Sequence, residues 1–183
     1  MAQIKRVDRI KRYQGSILTM YEDVMEFPDG SRASWDFIGH GGGAGVVAVR
    51  GDGRILMVRQ YRPAIDAYSL EIPAGARDDP DEDGCSAALR ELSEETGYTA
   101  AREDVQFIFK IVTAVAFCNE TTEVFLVRNL IKGEAHPDDG EFLDTEAYSA
   151  EELKGMIYGG QITDAKTVAA LLAYFALQKG QGG

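Results

Sequence analysis

The chain has 183 residues, a formal net charge of −11 and a sequence pI near 4.6, and its length suits one domain with an ordinary core. An acidic surface repels nucleic acid, so no nucleic-acid partner is expected. The N-terminus does not resemble a signal peptide, and no apolar run reaches membrane-spanning length, so no membrane association is expected. Cys85 and Cys118 form neither a metal-type spacing nor a disulfide framework, which favours a cytoplasmic location.

Residues 1–40 are predicted to form a β-rich arm. Residues 17–26 have alternating and β-branched character, residues 27–30 read as a Phe-Pro-Asp-Gly turn, and residues 32–38 return as a second strand. A hairpin with so few apolar residues has no core of its own, so we expect it to pack on something else. The single tryptophan, Trp35, either packs there or forms a platform for a nucleobase.

A compact core is expected after residue 40. Residues 46–50 and 54–62 are predicted to form a hairpin around the turn Gly-Asp-Gly. Further strands are expected over residues 69–72, 105–113, 121–127 and 141–148.

Helices separate these strands. Ser149 and Glu152 predict a capping box for a helix that reaches Tyr158, and residues 164–178 are predicted to be a buried closing helix. Strands separated by single helices predict the α/β class.

Another helix is predicted between Asp83, a suitable N-cap, and Gly97, which is placed to end it in the left-handed conformation. Its apolar residues recur at steps of three and four; they are Cys85, Ala88, Leu89, Leu92 and Thr96.

Three glutamates crowd the last turns of this helix. Glu91 and Glu95 stand one turn apart on the same face, with Glu94 beside them. Their charges repel one another and lie at the unfavourable end of the helix dipole. Such an arrangement is either a solvated helix face or a site that demands negative charge, and Mg²⁺ is the obvious ion because it prefers oxygen ligands.

The stretch from Gly75 to Tyr98 resembles the Nudix box: Gly, five residues, Glu, seven residues, Arg-Glu, an aliphatic residue, any residue, Glu-Glu, any residue, Gly, then an aliphatic or aromatic residue. Six residues instead of five separate Gly75 from Glu82, which is a one-residue insertion in the loop before the helix. The positions in register are Glu82, Arg90, Glu91, Leu92, Glu94, Glu95, Gly97 and Tyr98.

Two phrases before the box, Val-Arg-Gln-Tyr-Arg-Pro at residues 58–63 and Leu-Glu-Ile-Pro-Ala-Gly at residues 70–75, resemble the ADP-ribose pyrophosphatase branch of the Nudix family. So does Asp-Gly-Glu-Phe at residues 139–142. The resemblance implies a Nudix fold, a mixed β-sheet sandwiched between α-helices, over residues 41–183. It also implies an N-terminal antiparallel β arm over residues 1–40, exchanged between the subunits of a homodimer.

The resemblance further implies Mg²⁺-dependent hydrolysis of the diphosphate linkage of a nucleoside diphosphate sugar. The best candidate is ADP-ribose, cleaved to AMP and ribose 5-phosphate. Glu91, Glu95 and the backbone carbonyl of Ala74 would bind Mg²⁺, with Mn²⁺ as a possible substitute. Glu94 could hold a second metal or its water, and Arg90 would orient the box glutamates.

Each of three further residues has a candidate functional role and an alternative, purely structural one. Glu141 matches the family's loop glutamate and would be the general base; otherwise it is solvated, and Glu94 takes that role. Arg62 would clamp a substrate phosphate, or form a surface ion pair. Glu71 would bond a ribose hydroxyl, or satisfy backbone groups.

Other functions remain open. Many members of the branch have a Ser-Pro-Gly-Phe-type phrase after the box, whereas Val115 and Ala116 stand here in place of its proline and glycine, so another sugar is credible. A nucleoside triphosphate sanitising pyrophosphatase would use the same box without needing the arm. A non-catalytic Nudix ligand sensor would normally lose box glutamates, and all of them are present here.

Overall fold

The computed structural model describes residues 3–79, 81–135 and 142–180. The chain divides into two compact units. The first comprises Met1–Gly42 and Val112–Thr121, and the second comprises Gly43–Ile111 and Thr122–Gly183. The division into an arm over residues 1–40 and a domain over residues 41–183 stays a prediction.

The first unit is built on an antiparallel sheet of three strands, β1 (Lys5–Gln14), β2 (Thr19–Glu26) and β3 (Arg32–Gly39), in the order β1-β2-β3. The expected hairpin is present as β2 and β3, and β1 is an additional strand that the sequence did not predict. Arg9 on β1 donates to both carboxylate oxygens of Asp23 on β2 at 2.6 Å. Its guanidinium also lies 4.0 Å from the ring centroid of Phe37. Cross-strand ion pairing therefore holds a strand that carries few apolar residues.

The second segment of this unit joins the end of β3. Ile38 forms a parallel bridge with Cys118: its N–H donates to the carbonyl of Phe117 at 2.7 Å, and its carbonyl accepts from Asn119 at 3.3 Å. This segment is the one in which Val115 and Ala116 replace the proline and glycine of the family phrase, and the Val115 side chain is exposed.

The second unit contains the remaining strands and three helices. They are β4 (Gly43–Ala48), β5 (Ile55–Arg62), β6 (Ala67–Glu71), β7 (Ala74–Ala76), α1 (Gly84–Thr96), β8 (Tyr98–Thr99), β9 (Val105–Val112), β10 (Thr121–Val127), β11 (Ile131–Lys132), β12 (Asp144–Tyr148), α2 (Ala150–Tyr158) and α3 (Ala165–Gly180).

The predicted hairpin of residues 46–50 and 54–62 is wrong in its pairing. Its turn forms, since Gly53 N–H donates to the Arg50 carbonyl, but only Val49 and Ile55 bridge beyond it. Strand β4 belongs to the sheet β7-β4-β10-β9, parallel to β10, whereas β5 is the middle strand of the antiparallel sheet β12-β5-β6. Strand β4 is buried throughout and the first half of β5 is buried as well, so little in their local sequence specifies a lateral partner.

The sheets are covered on both faces, as their alternating side chains require. One face packs on α1 and the other on α2 and α3. The first cluster contains Ala44, Val46, Ala48, Leu56, Ala87, Ala88, Leu92, Phe125 and Val127. The second contains Val47, Val49, Ile55, Met57, Leu70, Ile72, Val124, Leu126, Leu153, Ile162, Ala170, Leu171, Tyr174 and Phe175. This is the α/β sandwich that the sequence predicts.

The predicted helix ends are also present. Asp83 accepts hydrogen bonds from the N–H groups of Cys85 and Ser86, and Gly97 ends α1 with φ 71°. A side chain on Gly97 would meet the backbone nitrogen of Ala135 at 2.7 Å, so glycine is required there. Ser149 forms the expected capping box at the start of α2. Within the described ranges, no helix combines the length and apolar character needed to cross a membrane.

Candidate active site

Arg90 brings two of the box carboxylates together. Its Nη1 donates to Glu91 Oε1 at 2.8 Å and to Glu94 Oε2 at 2.9 Å. Burial alone would lower the pKa of Arg90, but the hydrogen bond to Glu82 and the charge of Glu91 raise it above its ordinary value. A guanidinium that stays charged can hold both carboxylates in fixed positions.

The other nitrogens of Arg90 reach the loop before α1. Its Nη2 donates to the carbonyl of Ala76 at 2.8 Å, and its Nε lies 3.3 Å from Glu82 and 3.2 Å from Asp78. Glu82 therefore contacts Arg90 in spite of the inserted loop residue. These contacts agree with the predicted orienting role of Arg90, which stays a prediction.

Glu91 and Glu95 both contact the backbone of β7. Glu95 is buried, with 6% of its surface exposed, and its Oε2 accepts from the Ala74 N–H at 3.0 Å. The Glu91 carboxylate lies against Gly75 so closely that a Cβ on this glycine would stand 2.2 Å from Oε1. The structure thus places Glu91 and Glu95 beside the Ala74–Gly75 peptide, and Arg90 links Glu94 to Glu91.

The donor chemistry of this group fits a divalent cation. Glu82, Glu91 and Glu94 share Arg90, and Glu95 adds a further carboxylate nearby on the helix, so acidic groups outnumber this guanidinium. Hard carboxylate oxygens are the ligands that Mg²⁺ prefers. In the described part of the chain, however, no group of three or more acidic, histidine or cysteine side chains is arranged so that it could hold a metal ion. The glutamates would therefore adjust around an ion, and Arg90 contacts three of them in this structure, Glu82, Glu91 and Glu94.

Arg62 and Glu71, the two substrate-binding candidates of this unit, bind each other. Arg62 Nε and Nη2 each donate to one oxygen of Glu71 at 2.7 Å, while 39% of the Arg62 side chain remains exposed. Burial would raise the pKa of Glu71, but the bond from Arg62 and the charge of Lys166 lower it to about 2. Glu71 is thus a buried, ionised partner of Arg62.

The sequence did not predict the group at the start of α3. The ammonium of Lys166 contacts Glu71 and lies 3.0 Å from Asp164, and the Asp164 carboxylate also accepts from the Thr167 N–H. Asp164 followed three residues later by Thr167 is a recognisable capping pattern. No comparable local signal links Lys166 to a residue 95 positions earlier in the chain.

Two candidates remain, Trp35 and Glu141. Trp35 is on β3 of the first unit, with 47% of its surface exposed and its ring edge-on to Phe27 at a centroid distance of 6.1 Å. Its predicted roles, packing or base stacking, stay predictions. Glu141 lies outside the described residues, so its predicted role as the base has no structural description here.

The chain is similar to known proteins over most of its length. The pattern of the NUDIX domain family matches residues 39–171. The chain is 31% identical over 169 residues to an ADP-ribose pyrophosphatase of Bacillus subtilis (strain 168), covering 91% of this chain and 90% of that protein. It is 32% identical to a methanol dehydrogenase activator of Bacillus methanolicus, covering 91% and 89%.

A solved structure described as an ADP compounds hydrolase superposes with a TM-score of 0.85, covering 98% of this chain and 96% of the other. The two sequences are 22% identical, so this likeness concerns the fold alone. The α/β fold class expected from the sequence is confirmed.

Proposed function

Because the chain belongs to the NUDIX domain family, we propose that it hydrolyses the diphosphate linkage of a nucleoside diphosphate sugar with the help of Mg²⁺. The favoured substrate is ADP-ribose, and the products are then AMP and ribose 5-phosphate. The family and the enzyme class expected from the sequence, a Nudix pyrophosphatase, are confirmed. The similarity to an ADP-ribose pyrophosphatase over nine-tenths of both chains supports the substrate class.

The observation that carries this proposal is that Glu91 and Glu95 contact the Ala74–Gly75 backbone, while Arg90 donates to both Glu91 and Glu94. These carboxylates, with the Ala74 carbonyl, would hold the ion, and Mn²⁺ could replace Mg²⁺. When bound, the ion supplies charge neutralisation for the diphosphate and Lewis-acid activation of water.

Residues of the chain supply positioning and proton transfer. Arg90 holds Glu91 and Glu94 in place, and Arg62 presents a guanidinium fixed by Glu71 to a substrate phosphate. Glu141 takes the proton of the attacking water, and Glu94 is the alternative base. Because Glu71 is already committed to two cations, Arg62 is the better candidate of the pair for direct contact with substrate.

We further propose a cytoplasmic homodimer in which the arm of residues 1–40 is exchanged between subunits. The free thiols Cys85 and Cys118 suit a reducing compartment. The exposed apolar side chains of the arm suit burial by a partner; among them are Ile4, Val7, Tyr13 and Ile17. Trp35 is then available to stack on the nucleobase.

A substrate screen tests the proposal. Purified protein with Mg²⁺ is incubated with a panel of nucleoside diphosphate sugars and nucleoside triphosphates. Phosphate is read after a coupled phosphatase for the sugars and after a coupled inorganic pyrophosphatase for the triphosphates. We expect release from ADP-ribose and little from triphosphates, with the Glu95→Gln variant as the inactive control. Turnover of triphosphates alone would favour the sanitising alternative, and ligand binding without turnover would favour the sensor.

A further inference from the structure

Glu71 is held from two sides by elements far apart in the chain. The carboxylate is almost fully buried, with 3% of the side chain exposed. Arg62, at the end of β5, donates to both of its oxygens at 2.7 Å, and Lys166, in the first turn of α3, contacts Oε2. A buried carboxylate needs such pairing, because an unpaired one would be costly in free energy.

A second bond fastens α3 to the next residue. The buried N–H of Ile72 donates to Oγ1 of Thr167 at 3.0 Å, and Thr167 is fully buried. Two residues further on, the Ala74 N–H donates to Glu95 of α1. The segment 71–74 is therefore tied first to α3 and then to the box helix, and the start of α3 shares in fixing the strand end that precedes the candidate metal site.

The bonds to Glu71 also fix the orientation of Arg62. They engage Nε and Nη2, one edge of a planar guanidinium that has five N–H donors, and more than a third of the side chain is exposed. With this edge held, the plane of the guanidinium is set before any anion arrives. That orientation depends on where Glu71 is held, and Lys166 holds it.

We propose that Lys166 is a positioning residue for substrate binding: it anchors Glu71, and Glu71 orients the Arg62 guanidinium toward the diphosphate. This rests on the proposed function, in which Arg62 contacts a substrate phosphate. Asp164, 3.0 Å from the Lys166 ammonium, keeps the lysine directed at this cluster. Lys166 touches neither the substrate nor the box glutamates in this scheme, so its loss acts on affinity and not on the chemical step.

The test compares Lys166→Met with Lys166→Arg, which restores a cation within reach of Glu71. Lys154→Met is the matched control, because Lys154 is a helix lysine that pairs with the exposed Glu151. We expect Lys166→Met to raise KM for the accepted substrate about tenfold, the size associated with losing a charged hydrogen bond. We expect kcat within about threefold of wild type, because a loss of uniform binding leaves kcat unchanged.

Lys166→Arg should return KM most of the way to the wild-type value, and Lys154→Met should leave KM unchanged. A KM within about twofold of wild type in Lys166→Met would overturn the proposal. So would an equal rise in Lys154→Met, or a fall in kcat at unchanged KM. If Lys166→Met does not fold, Lys166→Gln, which keeps an N–H donor for Glu71, is judged by the same criteria.

A second measurement separates this proposal from the proposed function. The Nε–H signal of Arg62 in ¹⁵N-arginine-labelled protein reports its bond to Glu71 without any substrate, and Arg62→Lys assigns the signal. We expect Lys166→Met to shift or broaden it and Lys166→Arg to restore it. An unchanged signal overturns the link from Lys166 to Arg62. A changed signal in a protein that hydrolyses no nucleoside diphosphate sugar rejects the proposed function alone.

Discussion

The carboxylate of Glu91 and the α-carbon of Gly75 are in direct contact. A Cβ at position 75 would stand 2.2 Å from Oε1 and 2.5 Å from Oε2 of Glu91, closer than real Cβ atoms approach other atoms. The box therefore begins with glycine for a steric reason: the absence of a side chain lets a glutamate of α1 lie against the backbone of β7.

Gly75→Ala should inactivate the enzyme without unfolding it. The new methyl group meets the flexible end of the Glu91 side chain, which can swing away from the place where it is proposed to bind the metal. We expect turnover to fall by about 100-fold, the upper range for losing the orientation of a metal ligand. Gly51→Ala, where nothing lies within 4 Å of the added Cβ, is the control. Normal turnover in Gly75→Ala would mean that the position of Glu91 does not matter.

Glu95→Gln should lower turnover by at least about 100-fold, since losses at residues that merely support ligands already reach this size. The amide oxygen of glutamine can still accept from the Ala74 N–H, and repulsion within the box decreases. Thermal unfolding should therefore be nearly unchanged or slightly improved. Glu103→Gln, at an exposed position, is the control. Activity within a few-fold of wild type would remove Glu95 from the metal site.

The identity of the base can be decided by comparing Glu141→Gln with Glu94→Gln under saturating Mg²⁺ and substrate. If the loop supplies the base, Glu141→Gln lowers kcat strongly and leaves substrate affinity largely intact, because the loop acts on the water. Glu94 is held by Arg90 at 2.9 Å and is engaged in the box. A severe defect confined to Glu94→Gln would show that our assignment of Glu141 is wrong.

Glu71 should make stability depend on pH in the acid range. Its folded-state pKa, lowered to about 2, lies below the ordinary value of 4.5, so its stabilisation is complete above about pH 4.5 and is lost as pH falls through about 2. The loss amounts to about 3 kcal/mol of unfolding free energy. Urea unfolding at a series of pH values should show that the difference in unfolding free energy between wild type and Glu71→Gln narrows by this amount as pH falls. A constant gap would contradict the charged pairing.

The full-length protein should be a dimer that depends on residues 1–40. The three-stranded sheet exposes apolar side chains such as Val7, Tyr13 and Trp35 and lacks a large core of its own. Analytical ultracentrifugation of the full chain should give a dimer, and deletion of the arm should give a monomer or aggregate with much weaker substrate binding. A full-length monomer in dilute solution would refute the exchange of arms.

Local signals in the sequence determined the box helix. Asp83 and Gly97 fix its ends, and the spacing of Glu91 and Glu95 places both on one face, because helical periodicity and capping act over four residues or fewer. The capping box of Ser149 was readable for the same reason. The spacing of the box residues likewise predicted the family from the sequence alone.

Only the tertiary structure decided which distant segments meet. Strands β4 and β5 adjoin in sequence yet lie in different sheets, since buried strands carry little local information about their lateral partners. Strand β1 has little apolar alternation and is held by the pair Arg9–Asp23, which a periodicity of hydrophobic residues does not reveal. Lys166 meets Glu71 for the same physical reason: their ion pair is formed by the packing of α3 beside β6, and no sequence spacing encodes it.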